Sequence, residues 1–203
     1  MRRFSTRMLL AAASAALAAV LLIAGGLALW GSAYVHNTVQ GQLASQQIFF
    51  PPASAFAHPK AGGEIAPSMI PSVSQYAGQQ MLTGQQAEAY ADHFIAVHIQ
   101  EMGAGKTYSQ LSAESIAQPN NAALATTVGT VFKGETLRSM LLNAYGWWKV
   151  SQIVYIVSLT LFGLGALAGL AAAYLLAFGR RPRNAAPVTQ PGSHESITPA
   201  TIA

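Results

Sequence analysis

Residues Met8–Trp30 read MLLAAASAALAAVLLIAGGLALW, and residues Ile153–Phe178 read IVYIVSLTLFGLGALAGLAAAYLLAF. The fold turns on these two stretches. The first has 23 residues, the second has 26, and neither holds a charge. At about 1.5 Å per residue the first reaches roughly 34 Å as a helix, enough for a hydrocarbon core of about 30 Å. The second is long enough to cross with tilt. Backbone polar groups in lipid must be satisfied within the segment, so both stretches are predicted to be helices. Composition agrees. Of 203 residues, 52% are hydrophobic and 9% are charged, against about 25% charged in a typical soluble domain. So little charge excludes a disordered chain and argues against a plain soluble globule. The chain has no cysteine, which excludes disulfides, thiol catalysis and Cys-ligated metal centres.

The flanks set an orientation. Arg2, Arg3 and Arg7 precede the first stretch, and no Lys or Arg follows it until Lys60. Arg180, Arg181 and Arg183 follow the second. The positive-inside rule places both termini in the cytoplasm. Trp30, Trp147 and Trp148 then fall at the outer interface, with Tyr174 and Phe178 near the inner one. The first stretch is longer than the 7–15 apolar residues of a signal peptide, which favours an uncleaved anchor. The expected organisation is a cytoplasmic N-terminus (1–7), a first span (8–30), an extracytoplasmic region (31–152), a second span (153–178) and a disordered cytoplasmic tail (179–203).

Residues 31–152 lack alternating Val/Ile/Thr runs and show helical spacing instead. Val35, Val39 and Leu43 extend the first helix to about Gln46. Pro51-Pro52 then breaks it, since a residue before proline is driven to extended geometry. Thr83-Gly84-Gln85-Gln86 and Thr107-Tyr108-Ser109-Gln110 both fit a T-x-x-Q capping box. The first predicts a helix with Ala87, Ala91, Phe94, Ile95, Ile99 and Met102 on its apolar face, ending at Gly103 as the left-handed C′ residue. The second predicts a shorter helix that ends before Pro119. Asn120 or Asn121 caps a further helix, with Leu124, Val128, Val131 and Phe132 inward. A last helix is expected to begin near Glu135, with Leu137, Met140, Leu141 and Ala144 on one side, and to run into the second span.

Few residues suggest chemistry. Gly103-Ala104-Gly105-Lys106-Thr107 resembles the end of a P-loop, but the required earlier glycine position holds Gln100. A helix end followed by a helix start explains the same residues, and no nucleotide is expected. His93 and His98 are five apart, about 140° around a helix, so they do not share a face. Glu88 with Asp92, or His98 with Glu101, gives two ligands where a closed zinc site needs four. No metal, cofactor or catalytic residue is therefore assigned. Between the spans, five basic residues (Lys60, Lys106, Lys133, Arg138, Lys149) face six acidic ones (Glu64, Glu88, Asp92, Glu101, Glu114, Glu135). No basic stripe for nucleic acid results. Two features remain. Ile48, Phe49 and Phe50 form either a plug for the outer core or, exposed, an anchor for a partner, with burial the favoured reading. Gly165, Gly169 and Ala173 form a small-residue row that suits close helix packing in lipid, within the chain or between chains, with Ala11, Ala15 and Ala18 offering a smooth face opposite.

Gln46–Pro52 (QQIFFPP), Tyr90–Ser112 (YADHFIAVHIQEMGAGKTYSQLS) and Phe132–Trp148 (FKGETLRSMLLNAYGWW) together resemble a group of actinobacterial two-span membrane proteins of uncharacterised function. The resemblance implies a plasma-membrane protein with an outward helical domain and brings no catalytic role. Within it, Glu135 and Arg138 are three apart and form a local pair.

The sequence reading is thus an all-α membrane protein: two transmembrane helices with an extracytoplasmic helical domain built on their outward extensions. Its expected role is non-enzymatic, an accessory or scaffold subunit. The partners implied are the lipid bilayer and a membrane or envelope protein, with a homo-oligomer left open. The alternatives are a ligand- or pH-sensing module and a metal-dependent enzyme.

Overall fold

A computed structural model describes residues 6–178. The expected tail over 179–203 lies outside the described residues, as do Arg2, Arg3, Arg180, Arg181 and Arg183. The described chain is all helical, with no β-strand among its residues. Two helices, α1 (Thr6–Ser45) and α6 (Ala122–Ala177), are long and apolar enough to cross a membrane. Between them in sequence lie α2 (Ile70–Val73), α3 (Gly84–Tyr90), a π-helical turn (Ala91–Ile95), α4 (Ala96–Met102) and α5 (Tyr108–Ala117), with 3-10 turns at Ala53–Ala57, Pro67–Met69 and Ser74–Tyr76.

The two long helices run antiparallel, and most of the residues they bury fall on a seven-residue repeat. On α1 these are Ala11, Ala18, Gly25, Ser32 and Val39. On α6 they are Ser151, Ser158, Gly165 and Ala172. Seven residues over two turns keep one stripe facing a partner, which is the repeat of a left-handed supercoil. Over the apolar stretches the stripe holds only Ala, Gly and Ser, so the backbones approach closely. A Cβ added at Gly165 would stand 3.0 Å from Leu22, and one at Gly25 would stand 3.2 Å from Phe162. Ser32 Oγ donates to the Ser151 carbonyl at 2.7 Å and fixes the register of the pair. Most of the large apolar side chains point the other way, with Ile23 65% and Leu167 64% exposed, while Leu21, Leu161 and Phe162 are half-buried beside the seam glycines.

Beyond the seam the shorter elements form a cap on the helix pair. Each start follows from local chemistry. Both T-x-x-Q segments make the reciprocal capping box, Thr83 with Gln86 and Thr107 with Gln110. Asn121 caps α6 by accepting from the Leu124 N–H at 3.0 Å. Helix α1 stops at Ser45, where Gln47 turns left-handed at φ 52° and the Gln80 side chain donates to the Ala44 carbonyl at 2.9 Å. Both satisfy the helix end before the prolines are reached. The cap core gathers Val39 and Leu43 from α1, Phe50, Ile65, Met69, Val73 and Met81 from the connecting segments, and Ile95, Ile99, Leu111, Val131 and Leu141 from the helices. Full burial of such side chains is worth about 1.5–3 kcal/mol each, so this cluster outweighs the cap's few ion pairs.

Three expectations need correcting. Helix α6 is one helix from Ala122 to Ala177, and no new helix starts near Glu135. Its inner face runs through Val131, Leu141 and Trp148, which turns Phe132, Leu137 and Met140 outward. Gly103 is not the left-handed residue. Ala104 takes that conformation at φ 52°, and Gly103 is needed for space, because a Cβ there would lie 2.8 Å from the Lys106 carbonyl oxygen.

Trp148 joins the cap to the pair. Its ring lies against His36 of α1, with centroids 3.9 Å apart. A Cβ added at Gly84, the first residue of α3, would fall 2.3 Å from the Trp148 Cβ. Gly84→Ala must therefore displace α3 from α6, and it should lower stability by about 1–3 kcal/mol. Gly129→Ala, which meets nothing within 4 Å, should hold or raise stability by up to about 1 kcal/mol through helix propensity. Thermal melts of the full chain in mild detergent check both.

Candidate functional site

The Ile48–Phe50 segment is held by two backbone bonds. The Phe50 N–H donates to Gln79 at 2.9 Å and the Met81 N–H donates to Ile48 at 2.8 Å, which makes an isolated bridge between Phe49 and Gln80. Alternation of side chains along this extended stretch splits the segment. Phe50 is 2% exposed and Ile48 is half-buried, whereas Phe49 is 57% exposed. Plug and anchor are therefore different residues of one segment. Phe50 starts a run of aromatic rings. It meets Tyr76 at 5.1 Å and Tyr90 at 5.4 Å, Tyr90 meets Phe94 at 4.7 Å, and Phe94 meets His98 at 4.7 Å. Pairs of this kind add about 0.5–1.5 kcal/mol each beyond area burial.

Tyr90, Phe94 and His98 are four apart and stand before, within and after the π-helical turn at Ala91–Ile95. Turns of this type concentrate at functional positions. Here the turn carries Asp92 toward α6, where Asp92 Oδ1 accepts from Arg138 at 2.7 and 3.1 Å. Glu135 lies further from the same guanidinium, at 3.5 Å. The i,i+3 pair expected from the sequence thus exists, but the shorter contact is a link across 46 residues of chain. The hydrogen bond to Asp92, more than any other contact, raises the Arg138 pKa above its ordinary value. With both side chains 33% exposed, such a link contributes about 1 kcal/mol or less. Its effect is to fix how the π turn sits on α6.

The other candidate groups are placed as follows. The His98 ring nitrogen Nδ1 lies 2.8 Å from the Phe94 carbonyl oxygen, and Glu101 accepts from the Gly62 N–H at 3.2 Å. No group of three or more His, Asp or Glu side chains is close enough to hold a metal among the described residues. Lys106 of the P-loop-like segment is paired with both oxygens of Glu114 at 2.7 Å, and Thr107 is the N-cap of α5. In the small-residue row, Gly165 is buried against Leu22. Gly169 is half-buried with Ala18 nearby, and Ala173 is exposed while its neighbour Ala172 sits in the seam. Opposite them, Ala11 and Ala18 are buried and Ala15 is exposed.

A groove of about 570 Å³ opens between the long helices just below the cap, with Ser32, His36, Ser151 and Gln152 among its walls. The sequence reading did not single out this place. Its signal was present as a polar cluster at one level of two apolar helices, but that level is common to both only once the antiparallel register is known.

Comparison with protein-family descriptions, curated proteins and solved structures returns no match.

Phe50→Ala should destabilise the cap by about 3–5 kcal/mol, while Phe49→Ala should change stability by about 0.5 kcal/mol or less, as read from paired thermal melts. A pH dependence follows from Tyr90, whose pKa burial pushes above the ordinary 10.0, with the Glu64 charge adding to the rise. The folded state holds this proton more tightly than the unfolded state. Its contribution is therefore full below about pH 10 and is lost as pH rises through the folded value. Melting temperature should fall less steeply above about pH 10 in Tyr90→Phe than in the parent chain.

Proposed function

We propose that this chain is an integral membrane protein of two spans, with both termini cytoplasmic and the helical cap outside. On this reading it serves as a non-enzymatic accessory or scaffold subunit. One observation carries the membrane placement. Across both apolar stretches every fully buried residue is Ala, Gly or Ser, and most of the large side chains are exposed. A core helix of a soluble protein would bury its Leu and Ile and leave small or polar residues outside. The opposite arrangement suits lipid, where helices gain nothing by hiding leucine and associate through close backbone contact. Trp30 and Trp147 are exposed at the level expected of an interfacial belt. Helix α1 runs unbroken into the cap core through Val39 and Leu43. This supports an uncleaved anchor, since cleavage near Gly31 would remove one wall of the seam.

The scaffold role rests on how the cap is mounted. Helix α6 passes from the cap into the apolar stretch without a break, so the cap is held at a fixed attitude to the bilayer. Phe49 offers an exposed aromatic ring on a backbone pinned at both sides, a rigid anchor of the kind that dominates binding energy at interfaces.

The absence of native cysteine makes topology simple to test. An Ala61→Cys variant, in the exposed loop before Gly62, should react with a membrane-impermeant maleimide on intact cells or spheroplasts. Reaction only after lysis would reverse the orientation. For the docking role, a near-stoichiometric protein should co-purify with the tagged chain in mild detergent and be lost with Phe49→Ala. A partner retained by that variant, or none at all, would remove the scaffold reading.

A further inference from the structure

The seam between α1 and α6 does not close along its whole length. Tyr155 stands seven residues after Trp148 and seven before Phe162, where the repeat calls for an inward side chain, yet it is 47% exposed. The groove opens beside it. Ser32 and Ser151 lie within its lining, and both hydroxyls are engaged by backbone. Ser32 Oγ donates to the Ser151 carbonyl and Ser151 Oγ donates to the Trp148 carbonyl, each at 2.7 Å. With those donors taken, the middle of the groove offers chiefly carbon to an occupant. Leu29 and Ile156 close the end that lies deeper in the apolar stretches, while His36 and Gln152 stand toward the cap. Lys149 lies nearly one turn further toward the cap, on the α6 face that carries Gln152 and Ile156 at i+3 and i+7. Its amine rests 5.6 Å from the Tyr145 ring centroid.

Along the helix axis, then, the order runs from Lys149, which stands outside the groove on its cap side, through the polar His36 and Gln152, to the groove's apolar end. A phospholipid in the outer leaflet has the complementary order in the same direction. We propose that this groove is a lateral binding site for an anionic phospholipid, with one acyl chain against Leu29, Ala33 and Ile156 and the head group at Lys149, His36 and Gln152. The proposal rests on the membrane placement above. A lipid tail is already in an apolar medium, so the groove selects by shape and gains little from desolvation. Preference among lipids must then come from the head group, and the basic residue supplies it. A soluble apolar ligand is disfavoured because the deeper half of the groove lies at hydrocarbon depth.

The test uses the full-length chain in nanodiscs of phosphatidylglycerol and phosphatidylcholine in equal parts, released into mild detergent for native mass spectrometry. The parent chain should retain phosphatidylglycerol over phosphatidylcholine by about fivefold, as expected for one basic residue at the bilayer surface. Lys149→Gln, on an exposed face, should bring the ratio near unity. Ala33→Phe, also at an exposed position, should fill the groove and abolish retention of both lipids while the thermal midpoint holds. Equal retention of the two lipids by the parent, or retention undiminished in Ala33→Phe, would overturn the site. A chain that fails to enter nanodiscs would overturn the membrane anchor itself. A chain that inserts but keeps no lipid would overturn the groove alone.

Discussion

Close approach of two backbones is the constraint on which the rest of this structure depends. Helices α1 and α6 can lie side by side along their apolar stretches only because every seventh residue there is Ala, Gly or Ser. A branched side chain at Gly25 or Gly165 would meet Phe162 or Leu22 at once. The Ser32–Ser151 hydrogen bond then selects one register out of those a smooth seam would allow. Sliding by a turn would take the Ser151 carbonyl away from the Ser32 hydroxyl in an apolar setting, where an unmet hydroxyl is costly. Everything beyond the seam inherits this register, because the same two helices supply Val39, Leu43, Val131 and Leu141 to the cap core.

Trp148 carries the register from the pair into the cap. It is the last large buried residue before the small-residue repeat, and it touches α1 through His36 and α3 through Gly84. The capping box that starts α3 is one residue away from that contact, so the position of α3 and of the π turn after it is set where the cap meets the pair. The Asp92–Arg138 link and the aromatic run from Tyr76 to His98 then secure the far side of the same helix. The cap is thus fixed to the pair at two separated places, which leaves it little freedom to pivot. Such a mounting suits a docking surface better than a mobile sensor.

Much of the fold was legible because local rules governed it. The two apolar stretches are helices for reasons internal to each, since no other structure satisfies so long an apolar backbone. Both T-x-x-Q starts and the Asn121 cap depend on side chains reaching no further than three residues. The misreadings came where a distant contact ruled. A new helix was expected near Glu135, but α6 keeps its helix while its buried face passes from cap partners to α1. The small-residue row was read at a spacing of four from Gly165 and Gly169. The seam uses seven, and frequent alanine hid that longer repeat. At Gly103 the C′ assignment followed glycine's tolerance of positive φ, whereas the structure needs that glycine for its missing Cβ.

The sequence by itself determined helical content, the two long apolar elements, most helix starts and the absence of cysteine chemistry, because these depend on composition and on contacts within a few residues. Only the tertiary structure decided that Phe50 is buried while Phe49 is not, that Arg138 turns to Asp92 before Glu135, and that a groove opens beside Tyr155. Each of these depends on which residue of a distant element arrives opposite. That is a matter of pairing between elements far apart in sequence, 46 residues for Arg138 with Asp92 and 119 for Ser32 with Ser151, and no local pattern encodes it.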